Sequence, residues 1–192
     1  MKYTEHTTKS GKLIRVWDDL LSHSTILSVY SDLRSWEYPL VFQNDAALQD
    51  YSAKFGFGKG IDKNFMLSVL NTVQGAESFP IKSFLKRCDP TRSWVNVYNG
   101  SIDSNRYHTD EDNSEYVSLL YYANPKWDLE WDGGTIFRSE NLEDVEYLSD
   151  YKPGRFILFD SSIPHKIYQT SSSAHPYRFT VNTIFKNYNL KR

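Results

Sequence analysis

From Trp94 onward the sequence changes its period, and that change restricts the fold more than any other feature of the chain. Trp94–Tyr98 (WVNVY), Tyr116–Tyr122 (YVSLLYY), Arg155–Phe159 (RFILF) and Arg178–Phe185 (RFTVNTIF) are alternating or continuous runs of β-branched and aromatic residues, the pattern of half-buried and buried strands. Asn99-Gly100, Asp132-Gly133-Gly134 and Pro153-Gly154 lie between them and supply the backbone angles that tight connections need.

Before Trp94 the period is helical. Trp17, Leu20, Leu21, Leu27, Tyr30 and Leu33 predict a helix from Trp17 to about Arg34. Asp62 is placed to cap a second, carrying Phe65, Met66, Val69, Leu70 and Val73 and ending at Gly75, and Pro80 to Arg87 suggests a short third, closed by Asp89-Pro90. Trp36–Phe42 suits a strand that Pro39 confines to an edge. Gly56, Gly58 and Gly60 read as a loop, and the first sixteen residues as a loose end or an edge strand. Helices followed by strands predict an α+β fold, a jelly-roll-like barrel with N-terminal helices packed on one sheet. The expectation is a single domain over residues 1–192, with 1–90 mainly helical support and 91–188 the barrel core.

Composition excludes several function classes. A net charge of −2 gives no general attraction to phosphate backbones, so nucleic acid is disfavoured as a partner. No run approaches the roughly 18 apolar residues of a membrane helix. The one cysteine, Cys88, cannot form an internal disulfide and reads as a buried structural thiol, while Met1–Trp17 lacks the apolar centre of a leader peptide. A cytoplasmic protein is expected.

The chemistry concentrates in Arg106-Tyr107-His108-Thr109-Asp110. On extended backbone, residues two apart face the same side, so His108 and Asp110 can offer an imidazole and a carboxylate to one point. A later histidine, His165, would complete a set of two His and one carboxylate, which leaves half of an octahedron open and suits non-haem Fe(II). His6, His23 and His175 have no such spacing partner and read as surface or locally hydrogen-bonded histidines. Arg106, Arg138 and Lys166 are candidates for the site entrance.

Taken in order, Tyr98-Asn99-Gly100, His108-x-Asp110, Tyr121-Tyr122, Asn124, Trp127, Trp131-x-Gly133-Gly134-Thr135, Pro153-Gly154-Arg155, Phe159-Asp160, His165 and Arg178-x-Thr180 resemble the 2-oxoglutarate/Fe(II)-dependent oxygenases, and within them the prolyl 4-hydroxylase-like branch. The resemblance covers about residues 94–185. It implies a double-stranded β-helix in which His108, Asp110 and His165 ligate Fe(II) as the catalytic centre. The cosubstrate 2-oxoglutarate would sit with its far carboxylate on Arg178, near Tyr98, Tyr122 and Thr180. Dioxygen is the co-reactant, with ascorbate as an added reductant, and Asp110, absent from the halogenating relatives, implies hydroxylation. Arg155 and Asp160 belong to the family's strand motif and read as structural.

The substrate implied is a prolyl residue of a peptide or protein. One departure is Asn182-Thr183-Ile184, where oxygen-sensing prolyl hydroxylases carry a tryptophan, so a small-molecule or free amino acid hydroxylase is the alternative. Nucleic-acid demethylases of the superfamily show a second arginine close by on the last strand, where this chain has Phe179-Thr180-Val181. A non-catalytic metal-binding barrel is the reading from another class, against which an open ligand set argues.

Overall fold

Successive side chains along a strand face opposite ways, and in this protein the two faces of one large sheet meet different partners. The computed structural model describes residues 1–43, 54–73, 79–98, 106–174 and 177–187. In chain order the elements are β1 (Lys2–Thr7), β2 (Leu13–Asp18), α1 (His23–Ser35), β3 (Leu40–Gln43), β4 (Lys54–Ile61), α2 (Phe65–Asn71), α3 (Phe79–Leu85), β5 (Cys88–Tyr98), β6 (Tyr116–Tyr122), β7 (Thr135–Arg138), β8 (Val145–Ser149), β9 (Phe156–Asp160), β10 (His165–Ile167) and β11 (Arg178–Asn187). Eight strands form one sheet in the order β1-β2-β9-β6-β11-β5-β4-β3, and β10-β7-β8 form a second of three. The strand pairings are antiparallel. This is the expected α+β jelly roll.

One face of the large sheet carries Val95, Val97, Leu119, Tyr121, Phe156, Leu158, Val181 and Phe185. They pack with Ile26, Val29 and Leu33 of α1, Met66, Val69 and Leu70 of α2, and Ile81 and Leu85 of α3. The opposite face carries Ile14, Val16, Leu120, Tyr122, Ile157 and Phe159, which meet Phe137 of the small sheet in a second core. The alternation therefore assigns Asn96 and Tyr98 of β5, Ser118 of β6, and Arg178, Thr180 and Asn182 of β11 to the inside of the barrel. Those polar positions form the candidate site.

Several expectations for the N-terminal half are corrected. Trp17 lies in β2, not in a helix, and α1 begins after Ser22, whose side chain accepts from Thr25 N–H at 3.1 Å in the usual N-cap arrangement. Asp19, at φ 61, makes the turn between the two. Of the two readings of the first sixteen residues, the edge strand holds and the loose end does not: β1 is the edge strand, and β2 pairs with β9, Ile14 facing Phe159 and Trp17 facing Phe156. Residues 36–39 are not strand, because Trp36 ends α1. Gly56, Gly58 and Gly60 lie on β4 rather than in a loop, and Asp89-Pro90 opens β5 instead of closing a helix, with Pro90 opposite Phe185 beside a register shift. Asp62 sits just before α2 and accepts from Asn64 N–H at 2.8 Å. Cys88 is buried. Gly75, Asn99-Gly100 and His175 lie outside the described residues.

Candidate metal centre

His108 and His165 face each other across an isolated antiparallel bridge: His108 N–H donates to His165 O at 3.1 Å, and His165 N–H to His108 O at 2.9 Å. Beyond the bridge the segment stays tied to the same neighbour, Asp110 N–H donating to Ser161 O at 2.9 Å. The backbone thus sets the two imidazoles side by side, with ring centroids 4.5 Å apart. Each ring places Nδ1 against a carbonyl two residues back in the chain, His108 on Arg106 O at 3.1 Å and His165 on Ile163 O at 2.9 Å. A proton on Nδ1 in both contacts leaves the Nε2 lone pairs for a cation. One ligand atom from each of His108, Asp110 and His165 falls within 4.8 Å of the others.

Asp110 is held from two strands. Ser118 Oγ on β6 donates to its Oδ2 at 2.6 Å, and Asn182 Nδ2 on β11 donates to the same oxygen at 3.0 Å. Burial alone would raise the Asp110 carboxyl, but His165, the Ser118 hydroxyl, His108 and the Asn182 amide outweigh it and hold it below the ordinary carboxylate range. A carboxylate that stays ionised, beside two imidazoles whose Nδ1 atoms face carbonyls, is the donor set that octahedral divalent iron takes with coordination positions left open. The residues fit the ion.

Farther along the same face of β11 stands Arg178, 1% exposed. Its Nε donates to Gly133 O, and Nη1 to Thr180 Oγ1 at 3.5 Å. Its Cζ lies 5.3 Å from the Tyr122 ring centre and 5.1 Å from that of Tyr151. Nη2 is buried with no hydrogen-bond partner among the described residues. Burial pulls the guanidinium below its ordinary value, while Tyr122, Tyr151 and Tyr98 oppose the shift, and a guanidinium remains charged within proteins. A buried cation with an unpaired donor costs several kcal/mol unless an anion reaches it, so this pocket fits the far carboxylate of a dicarboxylate ligand. Gly133 is required here. At φ +75 its backbone is left-handed, and a Cβ would come within 2.8 Å of Thr170 and 3.5 Å of Arg178.

Residues 93–186 match the family model described as the 2OG-Fe(II) oxygenase superfamily. These residues form a 2OG-Fe(II) oxygenase domain. The enzyme is a dioxygenase that uses Fe(II), 2-oxoglutarate and dioxygen. Solved structures agree on the fold. A prolyl hydroxylase from Trichoplax adhaerens, in complex with a hypoxia inducible factor oxygen degradation domain peptide fragment, is 18% identical, with 91% of this chain and 83% of that one covered and a TM-score of 0.64. A Pseudomonas putida prolyl-4-hydroxylase is 17% identical, with 91% and 92% covered and a TM-score of 0.61. HygX from Streptomyces hygroscopicus, with nickel and 2-oxoglutarate bound, is 10% identical, with 92% and 83% covered and a TM-score of 0.60. No curated protein matches the sequence.

In the oxygenase, the sequence-selected residues come together around these two points. Tyr98 stands opposite Arg178 in the β5–β11 register, and Thr180 stands opposite Tyr122 in the β6–β11 register. The Tyr122 hydroxyl donates to Thr135 Oγ1 at 2.8 Å. Of the entrance candidates, Arg138 is committed elsewhere, donating to Tyr107 Oη at 2.7 Å and to the Leu142 and Glu143 carbonyls. Lys166 Nζ lies 4.6 Å from the Tyr107 ring centre, and Arg106 is half-buried. His6 stacks on Tyr147 and His23 starts α1, so neither joins the site.

Three residues of the oxygenase escaped the sequence reading. Ser118 and Asn182 orient Asp110, and their signal was available: both are polar residues at inward positions of strands. Tyr151 stacks on Tyr122, with centroids 4.4 Å apart at 8°, and flanks Arg178 from the turn before β9. Nothing in its local sequence marks it.

Proposed function

We propose that this chain is a hydroxylase acting on a prolyl residue of a peptide or protein. His108, Asp110 and His165 hold Fe(II), and Arg178 receives the far carboxylate of 2-oxoglutarate. The observation that carries this reading is the unpaired Nη2 of the buried Arg178 on the same strand face as the Asn182 that orients Asp110. A ligand that must satisfy a cation at one end and a metal at the other is a dicarboxylate with a chelating head.

When bound, iron with 2-oxoglutarate and dioxygen supplies oxidative decarboxylation to succinate and carbon dioxide, coupled to insertion of oxygen into a C–H bond. The residues of the chain do the positioning. Ser118 and Asn182 fix the Asp110 carboxylate, the Arg106 and Ile163 carbonyls fix the imidazole tautomers, and the Tyr122–Tyr151 stack braces Arg178. Thr180 and Tyr98 complete the cosubstrate pocket. The likeness to two prolyl hydroxylases, one holding a peptide, supports the peptidyl substrate. Asn182-Thr183-Ile184, in a strand where oxygen-sensing prolyl hydroxylases carry tryptophan, favours the second reading, a small-molecule or free amino acid hydroxylase. A single domain in the cytoplasm accords with the buried free thiol of Cys88 and with the lack, among the described residues, of a helix long and apolar enough to cross a membrane.

The test is purified protein with Fe(II), 2-oxoglutarate and ascorbate. Succinate should form, and His108→Ala, Asp110→Ala and His165→Ala should each reduce it at least about 100-fold. Mass spectrometry of proline-containing peptides should show a 2-oxoglutarate-dependent gain of one oxygen. Succinate without that gain across a broad peptide set favours the small molecule. Equal succinate from wild type and all three variants removes the assignment.

A further inference from the structure

Trp94 is unusual for a large aromatic on the inward face of a barrel strand: it is 39% exposed. Its strand position explains where it sits. Trp94 is directly opposite Asn182 on one side and Gly60 on the other, and directly opposed residues of an antiparallel pair share a face. Asn182 donates to the Asp110 carboxylate at 3.0 Å, so Trp94 is the cross-strand neighbour of a side chain that holds the metal-binding carboxylate.

The glycines of β4 explain how the indole lies. A Cβ on Gly58 would collide with Trp94 Nε1 and come within 3.0 Å of Cε2, and one on Gly60 would lie 3.3 Å from Cζ3. The indole therefore occupies the space of two missing side chains, lying against β4, and keeps its 39% exposure on the side away from those glycines among the described residues. Lys59, between the glycines, points away and lies 5.8 Å from the Trp36 ring centre. The floor formed by Trp94, Gly58, Gly60, Asn96 and Asn182 carries no charge of its own, and the cation two residues before Trp94, Arg92, is committed, donating to Asp110 O at 2.8 Å and lying 3.5 Å from Glu111. The floor does carry one unsatisfied acceptor, since Asn182 Oδ1 is buried without a hydrogen-bond partner among the described residues.

We propose that Trp94 is the floor of the prime-substrate subsite, on which the prolyl ring to be oxidised lies flat against the exposed side of the indole. An uncharged aromatic plane suits a proline ring, whose extended backbone is already ordered and whose nitrogen carries no N–H to desolvate. Charged or strongly solvated groups gain nothing from this floor. The inference rests on the hydroxylase reading but concerns residues outside both the ligand set and the cosubstrate pocket.

The test is a binding measurement on protein loaded with Zn(II) in place of iron and saturated with 2-oxoglutarate, so that no turnover occurs. The protein contains five tryptophans, and labelling with 5-fluorotryptophan gives each its own fluorine resonance, with Trp94 assigned by its loss in Trp94→Phe. Acetyl-Ala-Ala-Pro-Ala-Ala-amide should move the Trp94 resonance saturably, and the same peptide with alanine for proline should not. Trp94→Ala should bind the proline peptide about tenfold more weakly, a typical worth of one aromatic ring contact, and Trp94→Phe should retain most of the affinity. Gly58→Ala, which tips the indole without removing it, should fall between. Affinity for 2-oxoglutarate should be unchanged in all three, which shows that they are folded. A proline peptide that leaves the Trp94 resonance still, or that binds Trp94→Ala as tightly as wild type, overturns the proposal. A Trp94 shift with no hydroxylation in the iron assay removes the prolyl hydroxylase reading and leaves this subsite standing. Hydroxylation with an unchanged KM in Trp94→Ala does the reverse.

Discussion

Arg155 commits its whole guanidinium to the start of β9. Nε and Nη2 donate to the two carboxylate oxygens of Asp18, at 2.7 and 3.0 Å, while Nη1 reaches Ser149 Oγ at 3.1 Å and Asp150 O at 2.9 Å. Lys152 adds a second cation 3.2 Å from Asp18. One carboxylate at the end of β2 thus fixes the turn that carries Tyr151 behind Arg178. Burial would raise Asp18, but the hydrogen bonds and charges of Arg155 and Lys152 outweigh it and hold the carboxyl below its ordinary value. A group with a depressed folded-state pKa contributes stability that is fully present above the unfolded value, about 3.9, and is lost as pH falls through the folded one. Asp18→Asn should therefore cost about 2 to 3 kcal/mol at pH 7, since it leaves Arg155 without its charge partner. Urea unfolding of the two proteins should converge as pH drops below about 4; a gap of constant size down to pH 3 would mean that the charge is not the source. The pair itself was not legible, because only the β2–β9 pairing brings together residues so far apart in sequence. Ser118 and Asn182 were hidden in the same way: an inward polar residue can be read from alternation, but its target depends on register.

Gly134 shows what an element needs in order to pass close to another. A Cβ there would collide with the carbonyl oxygen of Ser149 and lie 3.1 Å from Asp150 Cα, and both obstacles are backbone that cannot rotate away. The contact lets β7 and β8 pair with Thr135 opposite Ser149, and β7 in turn sets Phe137 opposite His165. Gly134→Ala should destabilise the fold by about 2 to 3 kcal/mol through overpacking. It should also weaken Zn(II) retention, measured by competition with a chelator, because His165 is carried by the displaced sheet. Normal stability with weakened retention would contradict this account, since the one is argued to follow from the other. Of the elements after Trp94, β5, β6, β9 and β11 were legible because a strand with two different buried faces repeats its pattern every second residue, whereas the short strands of the small sheet, β7, β8 and β10, were not. Among the earlier ones, α2 and α3 were legible from their apolar spacing, but β2 and β4 were not. Leu13–Trp17 fits either period until Ser22 is seen capping α1, and the β4 glycines read as a loop because the side chain that fills their space, Trp94, lies on another strand.

Across the molecule, the large sheet separates two kinds of interior. The helical side is continuous hydrocarbon from α1, α2 and α3, while the barrel side mixes an apolar core with buried polar groups, of which Arg178 is the most costly. Such a guanidinium lowers the stability of the ligand-free protein and raises the gain when an anion arrives, because binding to the native state alone adds RT ln(1 + [L]/Kd), about 2.7 kcal/mol at one hundred times Kd. For a chain of this length that is roughly 5 to 10 °C in Tm. Thermal unfolding with Zn(II) should therefore rise once with the metal and again with 2-oxoglutarate. Arg178→Met should keep the metal increment, lose the 2-oxoglutarate increment, and unfold at a higher temperature than wild type when both are absent, since an apolar side chain of similar length replaces a buried unpaired cation at a gain of about 1 to 3 kcal/mol. His165→Ala should lose both increments, as chelation at the metal anchors the other end of the cosubstrate. An Arg178→Met protein that is less stable than wild type without ligands, and still shifts with 2-oxoglutarate, would show that the guanidinium is an internal brace and that the cosubstrate carboxylate lies elsewhere.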